Sequence, residues 1–352
     1  MAVGSSAKRA PIQVPCPWHR EPMQRLLDQH AQGRLPHALL FAGAAGIGKF
    51  RLAQALAQAL LCERPAAGLA CGECDGCHLS VAGTHPDFQT LAPEPGSNTI
   101  KIDQVRRLLE FAGRTAQYGG ARVALIAPAE GLNRSAQNAL LKTLEEPGEG
   151  LVLLLVSDQP SLLLPTIRSR CQQRHLPLPP GDQALAWLTP QTGEREAAAL
   201  LAAAQGAPLR ALGLQDADWF AAREQLAGQL VAVARGRASP AQAGQVLARQ
   251  DPRVMAGVLY GWLARAAVLA ALSEEGGEEG GEADPATVTD PKVEPLLREL
   301  AGQVPPIRLL AAARRVMEGR RQLLAGANPN KELLMEQWLL ILVGVDASAS
   351  GF

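Results

Sequence analysis

The sequence has few aromatic residues, no net charge and no long apolar run, and each of these absences argues against some classes of protein. Aromatic residues make up only 4% of the 352 residues, whereas alanine and leucine are abundant, so the composition favours helices. Lysine plus arginine and aspartate plus glutamate number 34 each, which leaves no basic excess for autonomous binding to nucleic acid. No apolar run approaches the roughly 20 residues that span a bilayer, so we expect no contact with a membrane.

The first ten residues are small, polar and basic, and they lack the apolar core of a secretory signal. We therefore expect a cytoplasmic protein. In that compartment, the six cysteines are expected to be metal ligands or buried thiols rather than disulfides.

Short apolar runs alternate with helical patterns over the first half of the chain. The continuous runs, together with one alternating segment, occupy residues 39–42, 87–91, 123–126 and 151–156. Strands that are apolar throughout and separated by helices indicate a parallel sheet covered on both faces. We therefore predict an α/β domain over residues 1–176.

The rest of the chain, after a proline-rich stretch at 177–180, is patterned almost entirely as helices. A short helical segment, 177–213, suits a small lid, and residues 214–352 are predicted to form a helical bundle. Within the bundle, the Gly/Glu stretch 273–284 is too polar to pack and is expected to be an acidic loop.

A phosphate-binding loop with one part missing, residues 43–50, follows the first apolar run and opens a helix. Gly43, Gly46 and Gly48 can turn backbone N–H groups towards phosphate oxygens. Lys49 is placed to reach the β- and γ-phosphates. The next position should carry a hydroxyl that holds Mg²⁺, but it is Phe50, which cannot ligate a hard cation.

A P-loop ATPase also needs an acid at the end of a neighbouring strand, where it holds Mg²⁺ and polarises water. The run 123–126 leads instead into Ala127 and Pro128. The first carboxylate, Glu130, is interpreted as a solvated loop residue rather than a displaced acid. We therefore expect neither Mg²⁺ binding nor hydrolysis of ATP. The residues leave nucleotide binding through Lys49 open, but they do not favour it.

Four cysteines in a short stretch that contains glycines, 62–78, have the spacing of a metal site. The pattern is Cys62-x8-Cys71-x2-Cys74-x2-Cys77. Four thiolates favour a closed, structural Zn²⁺ site over unligated thiols. An iron–sulfur cluster is a weaker alternative, because no Cys-Pro follows the three closely spaced cysteines.

Several residues outside these two motifs have simpler interpretations. His78 and His85 are expected to be surface or packing residues, and Cys16 and Cys171 are expected to be buried thiols. Arg170 follows the third apolar strand, where an arginine can stabilise a phosphate bound to a neighbouring subunit. From the residues alone, an ordinary surface arginine is the favoured interpretation.

A set of segments resembles the clamp-loader branch of the AAA+ family, within it the delta-prime group of bacterial DNA polymerase III. The segments are the four-cysteine module, Thr84-His85-Pro86-Asp87, Asn138-Ala139-Leu140-Leu141-Lys142-Thr143-Leu144-Glu145-Glu146-Pro147, Ser169-Arg170-Cys171 and Asn328-Pro329-Asn330. The specific matches cover residues 34–171, and beyond them the resemblance, including 328–330, rests mainly on length and helicity.

The resemblance implies a RecA-like AAA+ module with an inserted zinc module, a small helical lid, and an all-α collar that assembles a five-subunit ring. It also implies a stator that does not hydrolyse ATP, within the DNA-directed DNA polymerase (nucleotidyltransferase) holoenzyme. Expected partners are the gamma/tau ATPase subunits and delta and, through the complex, the sliding clamp and primed DNA. Arg170 is then expected to be an arginine finger, offered in trans to a neighbouring ATP site.

Two other functions stay open at this point. An active ATPase of the gamma/tau kind requires the hydroxyl and the strand-end acid. A zinc-containing DNA-binding protein requires a basic patch around the cysteines, where Arg64 is accompanied by Glu63, Glu73 and Asp75.

Overall fold

The structure, a computed structural model, describes residues 13–66, 68–118, 120–215, 218–274, 290–324 and 327–345. The chain divides into two compact units, and the boundary in the sequence lies between Pro179 and Pro180. The expected separation of a lid (177–213) from a collar (214–352) stays a prediction. Most of the expected acidic loop, from residue 275 on, lies outside the described residues.

The first unit is built around a five-stranded parallel sheet, which confirms the predicted α/β class. Its strands are β1 (Ala38–Ala42), β2 (Phe88–Leu91), β3 (Arg122–Ile126), β4 (Leu151–Ser157) and β5 (Gln172–His175). Their spatial order is β2-β3-β4-β1-β5. Every residue of β1, β3 and β4 is buried, as expected of central strands covered on both faces.

Strand β5 is an element that the sequence analysis missed. It pairs in parallel with β1 at the edge of the sheet, where Leu39 lies opposite Gln172. Its four residues are polar and mostly exposed, so no apolar run marks it in the sequence. Polar side chains are common on edge strands because they discourage pairing with other chains.

Helices surround the sheet. They are α1 (Arg20–Ala31), α2 (Lys49–Leu60), α3 (Asp75–Ala82), α4 (Ile102–Ala112), α5 (Arg134–Glu145) and α6 (Pro165–Arg168), with 3-10 turns at Pro17–His19, Ala129–Gly131 and Pro160–Leu162. Helix α5 begins at the predicted cap, where the side chain of Asn133 accepts a hydrogen bond from the backbone N–H of Ala136. Such a cap stabilises a helix by about 1 kcal/mol.

One face of the sheet buries the apolar sides of α4 and α5. Leu40 and Leu153 pack in one cluster with Val105 and Leu108 of α4 and Leu140 of α5, and all five side chains are fully buried. Each such side chain contributes about 1.5–3 kcal/mol by its removal from water. This packing sets the positions of the loops that follow β1, β3 and β4.

The described part of the second unit contains only helices, as the sequence predicts. They are α7 (Gly181–Thr192), α8 (Glu194–Ala203), α9 (Pro208–Leu212), α10 (Asp218–Ala221), α11 (Arg223–Ala234), α12 (Pro240–Leu247), α13 (Pro252–Glu274), α14 (Glu294–Ala301), α15 (Pro306–Leu324), α16 (Lys331–Leu340) and the 3-10 turn Ile341–Val343. Their apolar faces form one continuous core, which includes Leu200, Leu230, Met255 and Trp338.

Helix α13 corrects the expectation that no apolar run approaches a membrane span. By length and composition alone, its 22 residues Pro252–Ser273 are long and apolar enough to cross a bilayer. The helix packs against α15, and its side chains Met255, Leu259 and Leu263 are buried in the core of the helical unit. A core helix of this kind passes the same test, so α13 is weak evidence for a membrane span.

Candidate functional site

The P-loop joins β1 to α2 through glycines with positive φ. The angle is 152° at Gly43, 80° at Gly46 and 92° at Gly48, directly before Lys49 begins the helix. The first N–H groups of a helix lack partners within it, so this is a place where anions can bind. A Cβ on Gly43 would lie 2.3 Å from the carbonyl oxygen of Leu176. Gly43 is therefore required by the packing of this chain, whether or not a phosphate binds.

Lys49 lies buried beneath the loop rather than in solvent. Its side chain is only 3% exposed, and its ammonium pairs with Oδ1 of Asp158 at 2.6 Å. The same nitrogen donates hydrogen bonds to the carbonyl oxygens of Gly43 at 2.9 Å and of Ala44 at 2.6 Å. The loop lysine is thus held by groups of its own chain.

Asp158 is a residue that the sequence analysis did not single out. It directly follows β4, and β4 rather than β3 is the strand that lies next to β1. The signal was present in the sequence as an acid two residues after the apolar run 151–156, at the end of the strand that this run forms. Finding it requires the strand order, because only neighbours of β1 end beside the loop.

Glu130 is not the solvated loop residue that we expected. It is half-buried, and its Oε1 accepts a hydrogen bond of 2.9 Å from the backbone N–H of Asp158. Its Oε2 is buried and has no hydrogen-bond partner among the described residues. Glu130 therefore anchors the backbone of Asp158, whose side chain pairs with Lys49.

The position that should bind Mg²⁺ carries a phenyl ring. Phe50 is the second residue of α2, and its side chain is 42% exposed. One strand beyond β4, β3 ends at Ile126 and is followed by Ala127 and Pro128, neither of which offers a side-chain oxygen. Hard cations require oxygen ligands, so these positions offer Mg²⁺ no side-chain ligand.

Two residues before α1 pack against the loop, and the sequence analysis did not anticipate them. The indole N–H of Trp18 donates to the carbonyl oxygen of Ile47 at 2.8 Å. His19 is 2% exposed, and neither ring nitrogen has a hydrogen-bond partner among the described residues. Burial, together with repulsion from Lys49, lowers the pKa of His19 to about 4. The imidazole is therefore neutral at physiological pH.

Arg170 lies between α6 and β5, and its side chain is 35% exposed. Its Nη1 donates to the carbonyl oxygen of Thr166 at 3.0 Å. Its Nη2 pairs with Oε1 of Glu145, the last residue of α5, at 2.6 Å. The guanidinium is thus held at the surface of the first unit by one carbonyl and one carboxylate.

The four cysteines of the predicted metal site come together in space. Their sulfur atoms all lie within 4.8 Å of one another. Cys62 and Cys74 are separated by 3.8 Å between sulfur atoms, and Cys71 and Cys77 by 3.9 Å. Four sulfurs placed about 2.3 Å from a tetrahedral Zn²⁺ are separated by about 3.8 Å. The cluster can therefore hold a metal ion, and its size suits zinc.

The backbone around the cluster supplies N–H groups to the sulfur atoms. The N–H groups of Cys71 and Gly72 donate to the sulfurs of Cys62 and Cys77, each at 3.3 Å. A hydrogen bond from Glu73 lowers the pKa of Cys71 to about 6, whereas burial raises the pKa values of Cys62 and Cys77. Thiolates in this buried setting need a compensating positive charge, which a metal ion supplies.

The two histidines and two cysteines interpreted as surface, packing or buried residues take such positions: His78 is exposed, whereas His85, Cys16 and Cys171 are buried. His85 is buried, and its Nδ1 accepts a hydrogen bond from the backbone N–H of Asp87. Cys16 and Cys171 are buried free thiols, and burial raises the pKa of Cys171 to about 12. These residues lie outside the four-cysteine group.

Comparisons with known proteins cover most of the chain. A family model described as DNA polymerase III, delta subunit, matches residues 18–179, and one described as DNA polymerase III, delta subunit, C terminal, matches residues 217–343. DNA polymerase III subunit delta' of Pseudomonas aeruginosa is 41% identical over 91% of this chain and 96% of its own length. The Escherichia coli subunit delta' is 37% identical over 92% of this chain and 94% of its own length. DNA polymerase III subunit tau of Escherichia coli is 40% identical over 41% of this chain and 22% of its own length.

Proposed function

Because the chain belongs to the family of DNA polymerase III delta' subunits, we propose that it is a non-hydrolysing stator of a clamp-loader complex. In this role it supports the ATP-driven loading of a sliding clamp onto primed DNA. Its partners are gamma/tau ATPase subunits and a delta subunit in a hetero-pentameric ring, and it acts in the cytoplasm. Clamp and DNA are reached through the complex.

The observation that carries this proposal is the state of the P-loop. Phe50 stands where a hydroxyl would bind Mg²⁺, and the carboxylate that does reach the loop, Asp158, is paired with Lys49. Phosphoryl transfer depends on a positioned metal ion and on a lysine directed at the phosphates. A loop that lacks a metal-binding hydroxyl and an available lysine keeps the P-loop fold but is not expected to hydrolyse ATP.

The proposed contribution to catalysis lies at Arg170, which acts on a neighbouring subunit. A guanidinium directed at the γ-phosphate stabilises the charge that develops there, and it requires no metal ion on its own side. The partly exposed guanidinium lies on a short connection between α6 and β5, which leaves it available to another subunit.

The four-cysteine cluster is proposed to hold a structural Zn²⁺ through Cys62, Cys71, Cys74 and Cys77. A complete shell of protein thiolates leaves no position for a substrate, so the metal ion supplies folding energy rather than catalysis. Cys74 and Cys77 at the start of α3 and Cys62 after α2 would hold the ion, which would tie these two parts of the chain together.

The test of the proposal is ATP turnover by the purified, full-length chain alone, with Mg²⁺ present. We expect no turnover above that of the Lys49→Ala variant. Turnover that disappears in Lys49→Ala would contradict the stator assignment and would favour an active ATPase of the gamma/tau kind. Tight, salt-dependent binding of DNA by the isolated chain would instead favour a DNA-binding protein.

A further inference from the structure

Lys49 has no N–H group left for a phosphate. An ammonium has three donors, and the structure gives this one three acceptors: the carbonyl oxygens of Gly43 and Ala44 and the carboxylate of Asp158. All three distances lie between 2.6 and 2.9 Å. The lysine is therefore saturated within its own chain.

Asp158 is the acceptor among the three that carries a negative charge. Its side chain is 42% exposed, whereas that of Lys49 is 3% exposed, so the charge of the buried ammonium is balanced from the solvent side. A phosphate would have to approach the ammonium as a competing anion. The carboxylate is already present at the high effective concentration of an intramolecular partner.

Two hydrogen bonds, one made by Asp158 and one made by the residues on either side of it, fix the position of Asp158. Its backbone N–H donates to Oε1 of Glu130, which belongs to the 3-10 turn after β3. The following residue, Gln159, donates its backbone N–H to Oγ of Ser157 at 3.2 Å. Since β4 lies between β3 and β1, these contacts direct the residue after β4 towards the loop after β1.

We propose that Asp158 is a specificity-determining residue that excludes nucleotide phosphates from the P-loop by occupying Lys49 as an internal anion. The inference rests on the proposed function and deepens it, because it concerns the same loop and assigns its lysine an occupant other than a phosphate. Charge-assisted hydrogen bonds of this kind correspond to a factor of about 10 to 100 in affinity. Removal of the carboxylate should therefore raise the affinity of the loop for a phosphate by this factor.

The experiment measures ATP binding to the full-length chain by isothermal titration calorimetry without added Mg²⁺. The variants are Asp158→Asn, Asp158→Ser, and Asp158→Asn combined with Lys49→Ala. Asp103→Asn is the matched control, because Asp103 is an exposed carboxylate of the same unit that is far from the loop in sequence and is 71% exposed. Melting temperatures of all variants establish that they are folded.

We expect both Asp158 variants to bind ATP about 10- to 100-fold more tightly than the wild-type chain. The gain should vanish in the double variant and be absent in Asp103→Asn. Equal binding by the wild-type chain and both Asp158 variants, at any affinity, overturns the inference. That outcome leaves the proposed function intact, because the proposed function is tested by turnover and not by binding.

Discussion

Nη2 of Arg170 lies 2.6 Å from Oε1 of Glu145, so the guanidinium proposed to act on a neighbouring subunit is paired within its own chain. The two side chains are 35% and 51% exposed, and solvent screens the attraction between them. Pairs of this exposure contribute at most about 1 kcal/mol. The contact is therefore weak enough to release the guanidinium to a phosphate.

The first prediction concerns this pair. In a reconstituted clamp-loader complex, Glu145→Gln should leave DNA-stimulated ATP hydrolysis unchanged or raise it by up to about fivefold, because a competing anion is removed. The free energy of unfolding should change by less than about 1 kcal/mol. The steady-state ATPase rate and urea unfolding measure the two effects. A fall in the rate to that of an Arg170 variant would mean that Glu145 is needed to position the guanidinium.

The second prediction concerns metal content. The wild-type chain should carry one zinc ion, and Cys74→Ser should carry none, as measured by inductively coupled plasma mass spectrometry. The melting temperature of Cys74→Ser should fall by roughly 5–10 °C, because metal binding contributes folding energy. Cys74 is the N-cap of α3, and its side chain accepts a hydrogen bond from the backbone N–H of Cys77. Serine can accept the same hydrogen bond, so the substitution removes the thiolate but keeps the cap.

The control for the metal prediction is Cys171→Ala, since Cys171 is a buried free thiol outside the cluster. It should retain the zinc ion of the wild-type chain. Equal zinc content in Cys74→Ser and the wild-type chain would contradict the assignment of the cluster as the metal site.

The third prediction concerns stability against pH. The pKa of His19 is lowered to about 4 by burial and by Lys49, so below about pH 6.5 the unfolded chain binds a proton that the folded chain does not. The stability that this residue contributes is complete above pH 6.5 and is lost as the pH falls towards 4. Between pH 7.5 and pH 5 the loss should be about 2 kcal/mol, measured by urea unfolding.

The matched variants for this pH effect are His19→Leu and His30→Gln. His19→Leu removes the titrating group, so its stability should decline less steeply with falling pH than that of the wild-type chain. His30→Gln replaces an exposed histidine and is the control for the substitution itself. Identical pH profiles for His19→Leu and the wild-type chain would rule out the proposed titration.

The fourth prediction concerns Asp87, which connects β2 to the loop before β3. Its buried carboxylate accepts hydrogen bonds from the backbone N–H groups of Gln117 and Tyr118 at 2.9–3.0 Å. Asp87→Ala leaves these donors without their acceptor and should lower the free energy of unfolding by about 1–3 kcal/mol. Urea unfolding measures the change, with Asp103→Asn as an exposed control expected within about 0.5 kcal/mol of wild type. A stable Asp87→Ala variant would show that water replaces the carboxylate at no cost.

Features encoded by neighbouring residues could be predicted from the sequence, whereas features that depend on the tertiary arrangement could not. The P-loop, the cap at Asn133 and the cysteine cluster are encoded by neighbouring residues and were predicted. Asp158 was missed because its role depends on β4 lying next to β1, a pairing of strands more than a hundred residues apart. Strand β5 was missed because an exposed edge strand needs no apolar residues.

The most direct test of the account compares DNA-stimulated ATP hydrolysis by reconstituted complexes that contain wild-type chain, Arg170→Ala or Arg168→Ala. Arg168 is the matched control, an arginine two residues away at the end of α6. If Arg170 acts in trans, Arg170→Ala should reduce the rate by about 10-fold or more, and Arg168→Ala should not. An unchanged rate with Arg170→Ala, in complexes shown to be fully assembled, would contradict the account.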